Sequence, residues 1–337
     1  MATRNVRMAR LTRWRILLTI LLLTVCTLTA PSLAQERYPS KPITMIVGFA
    51  PGGSTDFIAR LLAQKLEQAL GQPVVVNNRG GANGLLAANV AAAAAPDGYT
   101  LLLTSMGLTT NPHVYNSIGY DPLGLTCIAM VASVPNLIVT NPSLPAKNLE
   151  ELLALARSQR APLTSATTGN AAPGHLASVL LERAANVRFE FVAYKGSGPA
   201  MVDLISGRVD MSLPTLLAAL PFVEAGKLRA IAITGSKRSS LLPNVPTIAE
   251  AGVKSLSTGS GWYGLVGPAG MPKDIVERIS TEVEKILKTQ EVAERFVSNG
   301  ADPMFMNPAD MTAFVAQDYK QWGEVIREAK IKGDDTP

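Results

Sequence analysis

Side chains that carry chemistry are scarce in this chain. Its 337 residues hold two histidines, His113 and His175, and two cysteines, Cys26 and Cys127. No Cys/His/Asp group has metal-ligand spacing, so neither a metal nor another cofactor is expected. The nucleophile elbow G-x-S-x-G, the zinc motif H-E-x-x-H and the phosphate loop G-x-x-x-x-G-K-[ST] are all absent. These absences remove the common routes to an enzyme. A binding protein needs none of them, only donors, small residues and a hinge. One long apolar run occurs, at 16–28, and no other stretch is long enough to suggest a membrane span.

That run has a context. Arg4, Arg7, Arg10, Arg13 and Arg15 precede it, and Ser32 and Ala34 follow as small residues before a cut. These are the three parts of a secretory signal over residues 1–34, which predicts export to the periplasm. Cys26 does not make it a lipoprotein signal, because Val25 stands where a small residue is wanted. With those five arginines subtracted from 31 Lys and Arg, 26 basic residues face 26 acidic ones. The remaining chain is formally neutral, which removes the electrostatic argument for nucleic acid or an anionic membrane surface. Only Cys127 is left, in an apolar run, so no internal disulfide is expected and a buried structural thiol is favoured.

The chain beyond the leader exceeds what one hydrophobic core usually supports, which predicts two lobes. It is organised around residues 43–57. An apolar β-branched run ends at Pro51-Gly-Gly53, and Ser54, Thr55 and Asp56 offer N-caps for an amphipathic helix over 57–70. A strand, a Gly-Gly turn and a helix start leave backbone N–H groups pointing into a crevice, where the helix dipole favours an anion. The same residues also suit an ordinary βα turn. Gly71 is a plausible C-cap, a strand follows at 72–78, and an Ala-rich helix at 85–95 leads to a third strand at 99–104. Such alternation predicts a parallel sheet covered on both faces. Apolar stretches at 125–131 and 136–140 have no helix between them and suit a crossover. Alternation resumes to residue 234, and 262–267 reads as a return strand before helices at 273–289, 292–299 and 308–328. The expected organisation is one α/β lobe of residues 35–130 and 262–337, interrupted by a second α/β lobe of 131–261. Ligands in such sheets bind beyond the carboxyl ends of the strands, so the cleft between lobes is the candidate site.

Individual candidates carry competing readings. His175 follows a glycine and starts a helix, and packing or capping is favoured over ligand contact. Tyr194 offers its hydroxyl to a ligand or covers the sheet end. Lys195 reads as structural or rim-exposed, since a flexible ammonium clamps poorly. Asp56 would repel a carboxylate if turned inward, so a capping or water-holding role is favoured.

At these residues the chain resembles the periplasmic solute receptors of tripartite tricarboxylate transporters, often called Bug-type receptors. Phe49-Ala-Pro-Gly-Gly-Ser-Thr-Asp56 matches their first-loop signature, with Gly48 where Pro is usual. Val75-Val-Asn-Asn-Arg-Gly-Gly-Ala-Asn-Gly84 is similar to V-V-E-N-R-P-G-A-G-G, departing at Asn77, Gly80 and Asn83. Ala95-Pro-Asp-Gly-Tyr-Thr100, Tyr194-Lys-Gly196, Val245-Pro-Thr247 and Trp262-Tyr-Gly264 follow in the family's order. The resemblance implies a two-lobed periplasmic-binding-protein fold of Venus-flytrap type (type II) that captures a small carboxylate for integral-membrane transporter subunits, as a monomer. It carries over Phe49, Ala50, Gly52, Gly53, Ser54, Thr55 and Asp56 as one ligand wall, with Thr104 and Ser105 at the next strand end. From the second lobe it carries over Thr167, Thr168, Gly169, Asn170, Ala171, Ala172, His175 and Tyr194. Ala171 and Ala172 replace the family's Gly and Ser, which removes one hydroxyl donor. The competing functions are an exported α/β hydrolytic enzyme, which would turn its ligand over, and a receptor serving an ATP-driven importer or a sensor.

Overall fold

The computed structural model describes residues 38–169, 171–235, 237–253 and 261–331. The expected leader lies outside them. Strand β1 (Ile43–Val47) is buried at four of its five positions, as expected for an apolar β-branched run between helices. Helix α1 (Ser54–Leu70) sinks Ile58, Leu61, Leu62 and Leu66 into the core and ends at Gly71, whose φ of 73° provides a left-handed cap. Then come β2 (Val74–Asn78), α2 (Leu85–Ala92), β3 (Thr100–Ser105), the short α3 (Gly107–Thr110) and the long strand β4 (Thr126–Val134). Beyond Pro135 and Asn136 the chain forms β5 (Leu137–Thr140), α4 (Leu149–Ser158), β6 (Leu163–Thr167), α5 (Pro173–Ala185) and β7 (Phe189–Ala193). Helix α6 (Ser197–Ile205), β8 (Met211–Ser212), α7 (Leu216–Glu224) and β9 (Arg229–Ile233) follow. The chain finishes with β10 (Gly261–Gly267), α8 (Lys273–Lys288), α9 (Gln290–Val297), β11 (Asp302–Met306) and α10 (Pro308–Ala329).

The strands form two sheets, one ordered β11-β4-β10-β3-β1-β2 and the other β7-β6-β8-β5-β9. Neither is all parallel, which corrects the expectation from βα alternation. In the first, β1, β2 and β3 run parallel, but the return strand β10 lies antiparallel to both β3 and β4. In the second, β5 runs antiparallel to β8 and β9. The reason is connection length. Strands β4 and β5 follow one another with no crossover helix to restore direction, and β10 re-enters the first sheet from the second. Strand β11 is short, holds Pro303 and sits at a sheet edge, so its sequence carries little strand signal. Residues 259–264 spell G-x-G-x-x-G, yet Gly261–Gly264 belong to β10 rather than to a strand-to-helix turn.

Each sheet has its own core. Helices α4 and α5 bury Leu149, Leu152, Leu181 and Ala185 against one face of the second sheet. Helices α6 and α7 bury Met201, Leu204, Leu216 and Leu220 against the other. Cys127 packs within the first core, where burial pushes its thiol pKa up, the behaviour of an inert structural cysteine. Where the chain passes between sheets, Asn136 N donates to Thr234 Oγ1 and Thr234 N donates to Asn136 O, both at 2.8 Å.

Candidate functional site

The β1–α1 turn is built to bring backbone close to backbone. A Cβ on Gly48 would stand 2.7 Å from Gly84 Cα, so only glycine lets β1 pass the start of α2. Gly53, not Ser54, Thr55 or Asp56, is the N-cap of α1 and adopts an extended conformation without a side-chain cap. That places Asp56 within the first turn of the helix, reaching back. Its Oδ2 accepts from Gly52 N at 3.1 Å and Arg60 Nε at 2.9 Å, and its Oδ1 accepts from Asn78 Nδ2 at 3.0 Å. Burial acts to raise the Asp56 pKa, but the bonds from Arg60, Gly52 and Asn78 outweigh it and hold the carboxyl below its usual range. Asp56 therefore faces away from the cleft, and Gly52's amide is already committed.

With that carboxylate satisfied elsewhere, the first turn of α1 presents neutral donors to the cleft. From the first lobe, Phe49, Gly53, Ser54, Thr55, Ser105 and Tyr263 line a cavity. From the second come Ala166, Thr167, Thr168, Pro173, Gly174, Ser197 and Ser212 to Thr215, with Asn136 at the crossover. None of these residues is Lys, Arg, Asp, Glu or His. Thr167 Oγ1 is buried without a protein partner among the described residues. Burial raises the Tyr263 hydroxyl to about 12, against hydrogen bonding from Ser54, Thr55 and Thr215, so it stays a neutral donor at ordinary pH.

The two walls meet. The hydroxyls of Ser54 and Thr215 are hydrogen-bonded, Ala50 N donates to Lys195 O at 3.3 Å, and Thr110 Oγ1 donates to Ala171 O at 3.0 Å. The cavity between them is about 40 Å³, enough for ordered water and far below the several hundred Å³ of a typical ligand pocket. This is a shut cleft.

Of the residues expected at the site, Phe49, Gly53, Ser54, Thr55, Ser105, Thr167 and Thr168 line one cavity. Phe49 and Gly53 to Thr55 on one side, and Thr167, Thr168, Pro173 and Gly174 on the other, are thus opposite lips of one mouth. Thr104 points behind Phe49 into a separate small space shared with Asn83 and Asn111. Ala50 serves as a contact between lips. Gly169 (φ 132°) packs on Asn83, and Ala171 and Ala172 are fully buried beneath the loop. Asn170 lies outside the described residues. His175 is 6% exposed, with Nδ1 accepting from Ala171 N at 2.9 Å and its ring edge-on to Phe191, so it pins the loop instead of facing the cavity. Burial drives its pKa down to about 4. Tyr194 turns away as well, its hydroxyl donating to Asp203 Oδ2 at 2.9 Å while its N–H donates to Thr167 O.

The polar lining residues that the sequence reasoning missed are Asn136, Ser197, Ser212, Thr215 and Tyr263. Ser212 and Thr215 had a usable signal, since they stand at the carboxyl end of the strand expected over 209–213. Tyr263 stood inside the Trp262-Tyr-Gly264 motif, but its cavity-facing role depends on β10 running antiparallel between β3 and β4. Among the described residues, no group of three His, Cys, Asp or Glu could hold a metal, and no helix is long and apolar enough to cross a membrane.

This architecture and this cavity have relatives. Residues 58–331 match the model of the tripartite tricarboxylate transporter family receptor. Protein BugT of Bordetella pertussis is 37% identical over 311 residues, covering 90% of this chain and 94% of BugT. The R. palustris protein Rpa4515, solved with adipate, superposes with a TM-score of 0.85 at 35% identity over 88% of this chain and all of that one. The periplasmic binding protein BugD does so with a TM-score of 0.84 at 34% identity, with the same coverage. The fold is that of a two-lobed periplasmic binding protein, and the chain belongs to the tripartite tricarboxylate transporter receptor family.

Proposed function

We propose that this chain is an extracytoplasmic receptor that captures a small carboxylate between its lobes and delivers it to a tripartite tricarboxylate-type membrane transporter. The observation that carries this reading is a cavity walled by both lobes and rich in hydroxyls, with the first turn of a 17-residue helix on one side and no charged side chain among its lining residues. Such a site suits an anion whose charge is met by oriented N–H and O–H groups and the helix dipole. Hydrogen bonds to a charged group contribute about 1.5–3 kcal/mol each. Four of them support micromolar affinity, roughly 8 kcal/mol, after the cost of closure. The ligand touches both lips only when they are shut, so binding energy and closure are one event. His175 and Tyr263 are held out of the neutral titration range, which suits a site that holds its ligand without moving protons.

Adipate, bound by the R. palustris relative, sets the class to try first. The residues assigned to it are Phe49, Gly53, Ser54, Thr55, Ser105, Thr167 and Thr168, joined by Ser212, Thr215 and Tyr263. The test is a thermal-shift screen of the chain from residue 35 against a carboxylate library that includes adipate and malate. A ligand at 100 times its Kd adds about 2.7 kcal/mol of stability. No shift from any carboxylate sinks the reading, and so does chemical conversion of a compound that binds.

A further inference from the structure

A second cavity stands directly behind the first. Across the crossover from the shut cleft lies a groove of about 510 Å³, walled by Thr234, Lys237, Arg238 and Ser240 on one side and by Gly300 and Asp302 on the other. The two spaces are separated by one layer of chain. Asn136 faces the front cavity and its neighbour Pro135 the rear groove. Thr215 faces the front and Leu216 the rear. Asn136 N donates to Thr234 Oγ1 at 2.8 Å, so a front-lining residue and a rear-lining residue share a hydrogen bond. Leu216 N in turn donates to Pro135 O at 2.7 Å. Gly300 of the first lobe packs on Leu216 of the second, where an added Cβ would fall 2.6 Å from Leu216 Cγ.

The groove's chemistry suits an oxyanion. In the segment Thr234 to Ser240, Lys237 is exposed and makes no ion pair or hydrogen bond among the described residues, and Ser240 is exposed beside it. Arg238 is held in place by Glu250 at 2.8 Å and Pro243 O at 3.0 Å through Nε and Nη1, and Nη2 of its planar fork has no partner among the described residues. Among the described residues Asp302 is the single carboxylate on the walls, and it stands on the other lobe. We propose that this rear groove binds a small oxyanion, phosphate or carboxylate, through Lys237, Arg238 and Ser240, and that its occupancy favours the shut front cleft. The proposed sign is that of a hinge in the chain layer between the two spaces. With the front cleft shut the rear groove is wide, and in this proposal opening the front brings the rear walls together and expels what lies between them. By linkage, the anion then raises affinity for the front ligand by the same factor as that ligand raises affinity for the anion. The assignment rests on the receptor reading only for its front ligand.

The test uses the chain from residue 35 with inorganic phosphate as the rear probe and adipate as the front probe, at constant ionic strength made up with chloride. Calorimetry is expected to show phosphate binding that Lys237→Gln weakens at least tenfold, while adipate binding without phosphate is unchanged in that variant. Saturating phosphate is expected to tighten adipate about fivefold, with the reciprocal change in phosphate affinity. Thr234→Val is expected to keep phosphate binding and reduce the coupling. Hydrogen exchange at Gly53 to Thr55 and at Thr215, slowed by phosphate alone, reads closure without any front ligand. A second adipate site lost in Lys237→Gln also supports the groove and names a carboxylate as its occupant. The proposal is overturned by no binding of either anion, by binding that Lys237→Gln leaves intact (an adventitious ion only), or by phosphate binding that moves neither adipate affinity nor exchange. Failure of adipate and every other carboxylate to bind would instead sink the front-site reading, with phosphate and exchange still deciding the rear one.

Discussion

The two lips of the cleft are made in opposite ways. The first, Phe49 to Thr55, is held by its own lobe: Asp56 ties Gly52, Arg60 and Asn78 together, and Gly48 locks against Gly84. The second, Thr167 to His175, is held partly by the other lobe. Thr110 bonds Ala171 O, Gly169 leans on Asn83, and Ala171 sits in the hydrophobic core of the first lobe with φ at 56°. The bracing around Asp56 and Gly48 lies within one lobe, although Ala50 and Ser54 also touch the other, whereas the second lip draws part of its own support from across the cleft. An entropic consequence follows: ordering the second lip belongs to the cost of closure, whereas the first contributes its donors without it.

The largest expected effect lies in the second lip and is read by pH. His175 titrates near 6.5 when unfolded and at about 4 in the folded chain, because burial disfavours the imidazolium. Its depressed folded value means that the unfolded state binds the extra proton first. Stability is therefore full above pH 6.5 and falls as pH drops toward 4, by on the order of 3 kcal/mol. Protonation also removes the lone pair that receives the Ala171 amide, so the lip loosens with it. Urea unfolding at several pH values should show this slope in the wild type and lose it in His175→Gln, whose carbonyl still accepts but does not titrate. A slope unchanged by the substitution would place the pH dependence elsewhere.

The matching perturbation of the first lip is Asp56→Ala. It strips the acceptor from Gly52 N and Arg60 and should cost about 2 kcal/mol, less than the His175 effect because Arg60 can turn to water. Carboxylate affinity is expected to fall at least tenfold even though Asp56 does not touch the cavity. Removing a carboxylate near an anion would strengthen binding if charge alone mattered. A gain in affinity, measured by calorimetry, would show that Asp56 acts as a repelling charge and not as a brace.

The asymmetry of the lips also explains what the sequence could disclose. The first lip was legible because its information is local: an apolar run, two glycines and a capped amphipathic helix occupy 28 consecutive residues, Ile43 to Leu70. Even there the cap fell on Gly53 and not on its polar neighbours, since Asp56 bonds better from inside the helix. The second lip was legible only as a loop of small residues. That Ala171 is buried depends on the first lobe's core, and that His175 packs on Phe191 and Tyr194 turns to Asp203 depends on α5, β7 and α6 coming together, which no local pattern encodes. The antiparallel insertion of β10, and with it Tyr263, is likewise a property of topology.

The smallest effect is the most selective, because it separates binding from folding. Thr167 ends β6 in the second lip and lines the cavity, 3% exposed, with its hydroxyl oxygen lacking a protein partner among the described residues. Replacing it with Val keeps the branched shape and removes only that hydroxyl. A buried hydroxyl without a partner is a burden to the folded chain, so Thr167→Val should leave stability within about 1 kcal/mol and on the favourable side. If the hydroxyl donates to a bound carboxylate, the same change should weaken binding about tenfold, or roughly 1.4 kcal/mol. Opposite signs in unfolding and in calorimetry would mark Thr167 as a binding residue carried at the expense of stability. Losses in both would mean that the hydroxyl serves the fold, and the second lip would then owe its grip on the ligand to Thr168, Ser212 and Thr215.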